Sequence, residues 1–267
     1  AEDVGPGDWT SVWTIPEEAQ GEARIVAKEP VVVAGLEVAA AVFRAVDPAL
    51  RLRQLASDGD EVFPEGTLLE IRGPFRSILT AERVALNFLG RLSGIATLTR
   101  AFVRAVEGTG ATIVDTRKTT PGWRHLEKEA VRAGGGTNHR MGLYDMILIK
   151  DNHIAAAGGI AAVLEAVRRR NHRELPVELE VASLEQLEEA LITPPERILL
   201  DNMSVADMGQ AVRRVAQLGQ GRPLLEASGN VNLDSVRGIA EAGVDLISVG
   251  ALTHSAPAAD LSLRVGL

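Results

Sequence analysis

The chain has 267 residues, 46% of them hydrophobic and 24% charged, with a net charge of −8 and no cysteine. That length allows one or two domains with a large core. The missing cysteine excludes disulfides, thiol nucleophiles and thiolate metal sites, and the acidic balance argues against general affinity for nucleic acid or membranes.

The opening residues carry Gly5, Pro6, Gly7, two Trp and Pro16 and read as irregular, with Asp8 and Thr10 as turn or cap residues. They show no signal pattern, and the longest apolar stretches, such as VVVAGLEVAAAVF, are too short and interrupted to span a bilayer. The cytoplasm is therefore the expected location. RIVAKEPVVVAG (24–35) is β-rich, LEVAAAVFRAV (36–46) has helical spacing, and LRLRQLA (50–56) alternates as an exposed strand does. DGDEVFPEGTLLEIRG (58–73) gives turns and then a strand, completing a small α+β module. TAERVALNFLGRLSGIATLTRAFVRAVEG predicts a long helix from an N-cap at Thr80, weakened or split at Gly90 and Gly94 and ended by Gly108. Arg83 lies in its first turns.

An alternation of apolar strand, polar end and helix follows. The strands are TIVDT (112–116), MILIK (146–150), VELEV (177–181), RILLD (197–201), LLEAS (224–228) and LISVG (246–250). Helices fall over 159–170, 183–191, 204–218 and 232–243, with Ser183 and Ser204 as caps. Continuous apolar strands alternating with helices predict a parallel α/β architecture covered on both faces. No G-x-G-x-x-G opens a helix after the first of these strands, and polar residues recur at many strand ends. A barrel, whose βα loops share one mouth, is favoured over a doubly wound sheet.

Between Arg117 and Lys150 seven Lys/Arg face three acids, against 28 Lys+Arg and 36 Asp+Glu in the whole chain. Such a cluster in an acidic protein suggests a site for a small polyanion. Arg124, Lys128 and Arg132 recur every fourth residue, so they also fit a solvated helix face. Arg117, Lys118, Arg140 and Lys150, with His139, form the basic side of the expected site. Arg suits bidentate carboxylate or phosphate contacts and Lys supplies a point charge. Glu180 and Asp201, on successive strands, form an acidic side suited to Mg²⁺ held partly by substrate phosphates. EASGN (226–230) and SVGALTH (248–254) provide small residues where backbone N–H groups can approach a phosphate. His172 and His254 read as surface or capping residues, and AGGGTNHR (133–140) as a loop. The expected ligands are a polycarboxylate and a phosphorylated partner bearing Mg²⁺.

DTRKTTPGWRHLEKEAVRAGGGTNHRMGLYDMILIKDNH resembles the core of the quinolinate phosphoribosyltransferases, within the type II phosphoribosyltransferases. The likeness extends through TAERVALNFLGRLSGIAT, LEVAS, LLDNMS, EASGN and VGALTH, in order over 24–255. It implies an α/β fold: an N-terminal α/β sandwich domain over 1–86, to which a 256–267 tail returns, plus an incomplete seven-membered α/β barrel over 87–255. One strand beyond the six read above is then expected, either near 87–110 or lost within the boundaries drawn here. The resemblance implies conversion of quinolinate and phosphoribosyl pyrophosphate to nicotinate mononucleotide, CO₂ and pyrophosphate, with Mg²⁺. Arg117, His139, Arg140 and Lys150 would hold the two quinolinate carboxylates. Lys118 would lie between carboxylate and pyrophosphate. Glu180 and Asp201 would serve the ribose hydroxyls and, directly or indirectly, the metal, and Asn202 would contact phosphoribosyl pyrophosphate. Ser228, Gly229 and Gly250 would take the 5′-phosphate. A homodimer, or a larger assembly such as a hexamer, is implied, with Arg83 reaching the neighbouring subunit's site. The family pattern also places a helix or two before the EDVGPGDWTS segment. The alternatives are a related transferase acting on another carboxylated base, a Schiff-base aldolase using Lys150, and a non-catalytic metabolite-binding barrel.

Overall fold

Asp8 accepts a hydrogen bond from the Ser11 N–H at 3.0 Å and so starts a short helix, α1 (Trp9–Thr14), within the segment expected to be irregular. The structure, a computed structural model, describes residues 2–266. β1 (Gln20–Ala27) and β2 (Val31–Val32) follow, then α2 (Leu36–Val46), which buries Leu36, Ala39, Ala40 and Phe43 on one face. β3 (Arg51–Gln54), β4 (Glu61–Val62) and β5 (Thr67–Pro74) lead into α3 (Phe75–Ala105).

α3 departs from expectation in two ways. It begins at Phe75 rather than after Thr80, whose hydroxyl instead donates to Asp8 Oδ2 at 2.9 Å. It also runs unbroken for 31 residues, through both glycines and through the stretch where a seventh strand was expected. The glycines serve close packing. A Cβ on Gly94 would lie 1.9 Å from the Pro257 carbonyl oxygen, and the Gly90 carbonyl accepts from the Ala259 N–H at 2.9 Å.

The remaining elements are β6 (Thr112–Val114), α4 (Arg124–Ala133), β7 (Ile147–Ile149), α5 (Asp151–Ala157), α6 (Ile160–Arg170), β8 (Val177–Val181) and α7 (Leu184–Leu191). After them come β9 (Arg197–Asp201), α8 (Val205–Ala216), β10 (Leu224–Ser228), α9 (Val236–Glu241), β11 (Leu246–Ser248), α10 (Ala251–His254) and β12 (Leu261–Gly266). Ser183 and Ser204 cap α7 and α8 through the Gln186 and Asp207 N–H groups.

Two compact units result. The first takes the described chain up to Arg100, His125–Gly135 and the residues from Ser255 on. Its antiparallel sheet has the order β12-β1-β5-β3, so the C-terminal strand pairs with the first one, Ala27 opposite Leu261 and Glu22 opposite Gly266. Ile25, Leu69, Ile71, Phe43 and Ile78 pack between this sheet and the helices α2 and α3. α4 belongs to this unit from His125 on, and here the solvated basic face fails. Lys128 and Glu127 are wholly buried, and Glu127 accepts from Arg91 at 3.0 Å, whereas Arg124 is half-buried and Arg132 is exposed and bonded to Glu129.

The second unit holds Ala101–Arg124 and Gly136–His254. Its six strands are all parallel, in the order β6-β11-β10-β9-β8-β7. A single bridge sets Thr137 beside Val114, so the seventh member of the wall is the loop after α4 rather than a strand near 87–110. Parallel strands put every C-terminal end on one side, and that side carries the polar residues.

Candidate active site

A cavity of about 720 Å³ opens at the C-terminal strand ends of the second unit. Asp115, Thr116, Arg117 and Lys118 enter it after β6, His139 and Arg140 from the bridged loop, and Leu148 and Lys150 from β7. Glu180 follows on β8, Asp201 and Asn202 after β9, and Ser228 and Gly229 after β10, with Gly250 beyond β11. Eleven of the twelve residues expected from the sequence therefore share one pocket. Arg83, the twelfth, is exposed on α3 in the first unit and does not line it.

The loops are fixed by their own polar groups. Arg124 donates to Thr119 Oγ1 at 2.9 Å and to the Met141 carbonyl at 3.1 Å, joining the segment after Lys118 to the one after Arg140. Asp145 accepts from the Met141 and Gly142 N–H groups at 2.6 and 2.9 Å. Thr253 Oγ1 donates to the Lys118 carbonyl at 2.9 Å. Lys150 donates to Glu180 at 2.5 Å, so the expected basic and acidic sides are joined by an ion pair. Arg140 is buried and donates to the Met146 carbonyl at 3.2 Å. Burial, then the nearby Arg117 charge, lowers its pKa, while Glu178 and Asp145 oppose the shift.

The phosphate-side loops are tight. Asn202 and Asn230 adopt left-handed backbone at φ 52° and 50°, and Gly229 sits at φ 104°. Asn230 Nδ2 donates to Asn202 Oδ1 at 3.3 Å, and a Cβ on Gly229 would lie 2.2 Å from that oxygen. A Cβ on Gly250 would meet Lys118 Cδ at 3.1 Å and His254 Nε2 at 3.2 Å. His254, taken from the sequence as a surface or capping residue, lines the cavity.

His139 is the most constrained group. Its side chain is 7% exposed, with Nε2 2.9 Å from Glu178 Oε2 and 3.2 Å from Glu226 Oε2. Both glutamates are buried, and none of their four oxygens receives a well-directed hydrogen bond. One N–H cannot point along both N···O lines at once. Nδ1 accepts the Arg140 N–H at 2.7 Å, and Asp115 Oδ1 accepts the His139 N–H at 2.8 Å. Burial disfavours a charged ring, but the close carboxylates of Glu178 and Glu226 outweigh it and raise the pKa to about 9. A second proton on Nδ1 would break the Arg140 contact, so this geometry carries one ring proton, on Nε2. Glu178 is itself raised, first by burial and also by Glu226, with His139 opposing.

Sequence reasoning missed Glu178, Glu226, Asp115 and His254. A signal existed for the two glutamates. Each lies in an apolar strand two residues before an expected site residue, Glu180 or Ser228, and so faces the same side.

The class defined by this fold and mouth is a parallel α/β-barrel enzyme for anionic ligands, with cationic groups on one side and carboxylates and small-residue loops on the other. The comparisons specify the family. Two family models cover nearly the whole chain: "Quinolinate phosphoribosyl transferase, N-terminal domain" over residues 8–93 and the corresponding "C-terminal domain" over 95–264. The chain is 45% identical to a probable nicotinate-nucleotide pyrophosphorylase (carboxylating) of Synechocystis sp., covering 99% of this chain and 89% of that protein. It is also 45% identical to the chloroplastic enzyme of that name in Arabidopsis thaliana, over 99% and 80%. The solved nicotinate-nucleotide pyrophosphorylase from Francisella tularensis matches with a TM-score of 0.94 and 40% identity, over 100% of this chain and 92% of that one. This chain belongs to the quinolinate phosphoribosyltransferase family.

Proposed function

We propose that the protein transfers the phosphoribosyl group of phosphoribosyl pyrophosphate to quinolinate, yielding nicotinate mononucleotide, CO₂ and pyrophosphate in the de novo route to NAD. The observation that carries this is the single pocket in which Arg117, Arg140 and Lys150 stand with Glu180, Asp201 and the Ser228, Gly229 and Gly250 loops. A dicarboxylate needs two cationic clamps, and these groups supply them. The backbone around Ser228, Gly229 and Gly250 suits the 5′-phosphate. The Lys118 side chain passes beside Gly250 in the same pocket, and its charge would offset that of a departing pyrophosphate.

The chemistry is one of positioning. The pyridine nitrogen, oriented through its neighbouring carboxylates, attacks the ribose C1 as pyrophosphate leaves. Glu180 and Asp201 favour the cationic ribose electrostatically. The product nitrogen is positive beside the 2-carboxylate, so the C–C bond electrons can stay on the ring as CO₂ departs. That carbon then takes a proton. No covalent nucleophile is required. Glu180 and Asp201 offer hard oxygen donors that suit Mg²⁺, which when bound would offset charge on the pyrophosphate.

We further take the protein to act in the cytoplasm as a homodimer or a larger assembly, with the partner's Arg83 completing each pocket. Among the described residues no helix is long and apolar enough to cross a membrane. The ion pair of Lys150 with Glu180 weighs against a Schiff-base reading, which needs a desolvated amine.

Incubation with quinolinate, phosphoribosyl pyrophosphate and Mg²⁺ should release CO₂ and pyrophosphate in equal amounts. Use of nicotinate in preference to quinolinate would refute the assignment. Arg117→Ala should weaken quinolinate binding roughly 10- to 100-fold, as expected for a lost charged hydrogen bond. Asp201→Ala should mainly weaken phosphoribosyl pyrophosphate binding. Equal losses of both ligands in both variants would contradict a two-sided site.

A further inference from the structure

Both ring nitrogens of His139 are occupied by the protein. Nδ1 takes the Arg140 N–H, and Nε2 lies 2.9 Å from Glu178 Oε2 and 3.2 Å from Glu226 Oε2. The backbone before the ring is held as well, since Asp115, itself buried, accepts the His139 N–H. The next residue, Arg140, lines the cavity with His139, and its guanidinium donates to the Met146 carbonyl. The two glutamates come from β8 and β10, on either side of β9, so His139 links two non-adjacent strands to the loop. Their oxygens are buried with no well-directed hydrogen bond elsewhere. Buried carboxylates left so poorly satisfied are costly, and their retention beneath a pocket calls for a role.

We propose that Glu178, Glu226 and His139 form a buried anchor that positions Arg140 for the substrate carboxylate, and that His139 is a positioning residue rather than a direct clamp. This rests on the quinolinate reading above. Glutamine at 178 or 226 keeps the size and loses the charge that holds Nε2. The loop carrying Arg140 is then free to shift, and a misplacement near 1 Å costs up to ~100-fold in a positioned site.

The test combines binding with nitrogen NMR on ¹⁵N-histidine-labelled full-length protein. In Glu178→Gln and Glu226→Gln, the quinolinate Kd should rise ~10-fold, while the phosphoribosyl pyrophosphate Kd and the thermal midpoint stay near wild type. Glu226→Asp, which restores charge, should recover part of the quinolinate affinity. In the wild type, the His139 signals should show a proton on Nε2 and a lone pair on Nδ1, and should not move to a new hydrogen-bonded state when quinolinate is added.

A quinolinate-dependent change at either ring nitrogen would overturn the proposal in favour of direct contact. So would glutamine variants with unchanged quinolinate affinity. Metal retained at one ion per chain by wild type and lost from Glu226→Gln would also overturn it, because the carboxylates would then serve a cation. If the wild type binds no quinolinate, the functional reading fails by itself. The ligand-free spectrum still decides the anchor, because a proton on Nδ1 would refute it.

Discussion

Gly229 is where a single methyl group should separate the two sides of the site. Its φ of 104° is unfavourable for any L side chain, and a Cβ would press on Asn202 Oδ1 at 2.2 Å. Gly229→Ala should cost about 1–3 kcal/mol of stability. It should weaken phosphoribosyl pyrophosphate binding by an order of magnitude or more through displacement of the loop, as titration calorimetry would show, with quinolinate affinity little changed. Asp245 makes a different prediction, at the opposite end of the strands. Arg222 donates to both its oxygens at 2.6 and 2.8 Å, and the Leu225 N–H donates at 2.8 Å. Burial alone would raise the Asp245 pKa, but these bonds lower it below 3.8. A lowered folded value means that the pair stabilises above the unfolded pKa and fades as pH falls through the folded one. Asp245→Asn should therefore lower the melting temperature at pH 7 and flatten its fall below about pH 4, without altering either ligand's affinity. Of these residues, Ser228 and Gly229 were legible as small groups after an apolar strand. Asn202's left-handed backbone was not, because it depends on the neighbouring loop. His139 was legible as part of the site, but its orientation was hidden, because Glu178 and Glu226 are distant in sequence.

At the scale of elements, apolar periodicity located all six parallel strands, because strands covered on both faces leave continuous runs of Val, Ile and Leu. It misplaced what tertiary contact decides. The two glycines of α3 were read as weak points, since glycine costs about 1 kcal/mol relative to alanine in a helix. In the fold they admit the backbone around Pro257–Ala259. Gly94→Ala, a helix-favouring change on propensity alone, should therefore destabilise by about 1–3 kcal/mol through overpacking. Chemical denaturation would reveal the sign. A gain in stability would show that the contact yields easily. α4 teaches the converse. Its basic residues recur as on a solvent face, yet Lys128 is wholly buried, and Glu127 is buried against Arg91. Charge spacing along one helix does not disclose the charges that meet it.

For the whole molecule, the βα alternation made the barrel-like unit readable, while the first unit is assembled from three separate stretches of chain. No local pattern announces that α4 joins that unit, or that the seventh wall member is one bridged residue, Thr137. The proposed dimer gives a test at this scale. Arg83 is exposed on α3, outside the pocket lining, whereas Lys118 lies within it. Arg83→Ala and Lys118→Ala should each be nearly inactive alone. Mixed and allowed to exchange subunits, they should regain about a quarter of wild-type activity if subunits pair at random, because half of the dimers would then hold one intact site. No recovery would show that Arg83 does not act across subunits.

The pairing of β12 with β1 sets the timing of this protein's maturation. The sheet that opens the sequence lacks an edge strand until residues more than two hundred positions later have been synthesised. At roughly 5–20 residues per second the nascent chain must carry Ile25 and Val26 in an unfinished sheet for about 10 seconds or more. During that interval the open side of β1 presents unpaired N–H and C=O groups, the feature that invites wrong partners. The parallel unit, whose described segments end at His254, has all its strands before the first unit has its last one. The domain encoded first is thus completed last, and its vulnerability during synthesis is a kinetic one that the finished fold's stability does not reveal.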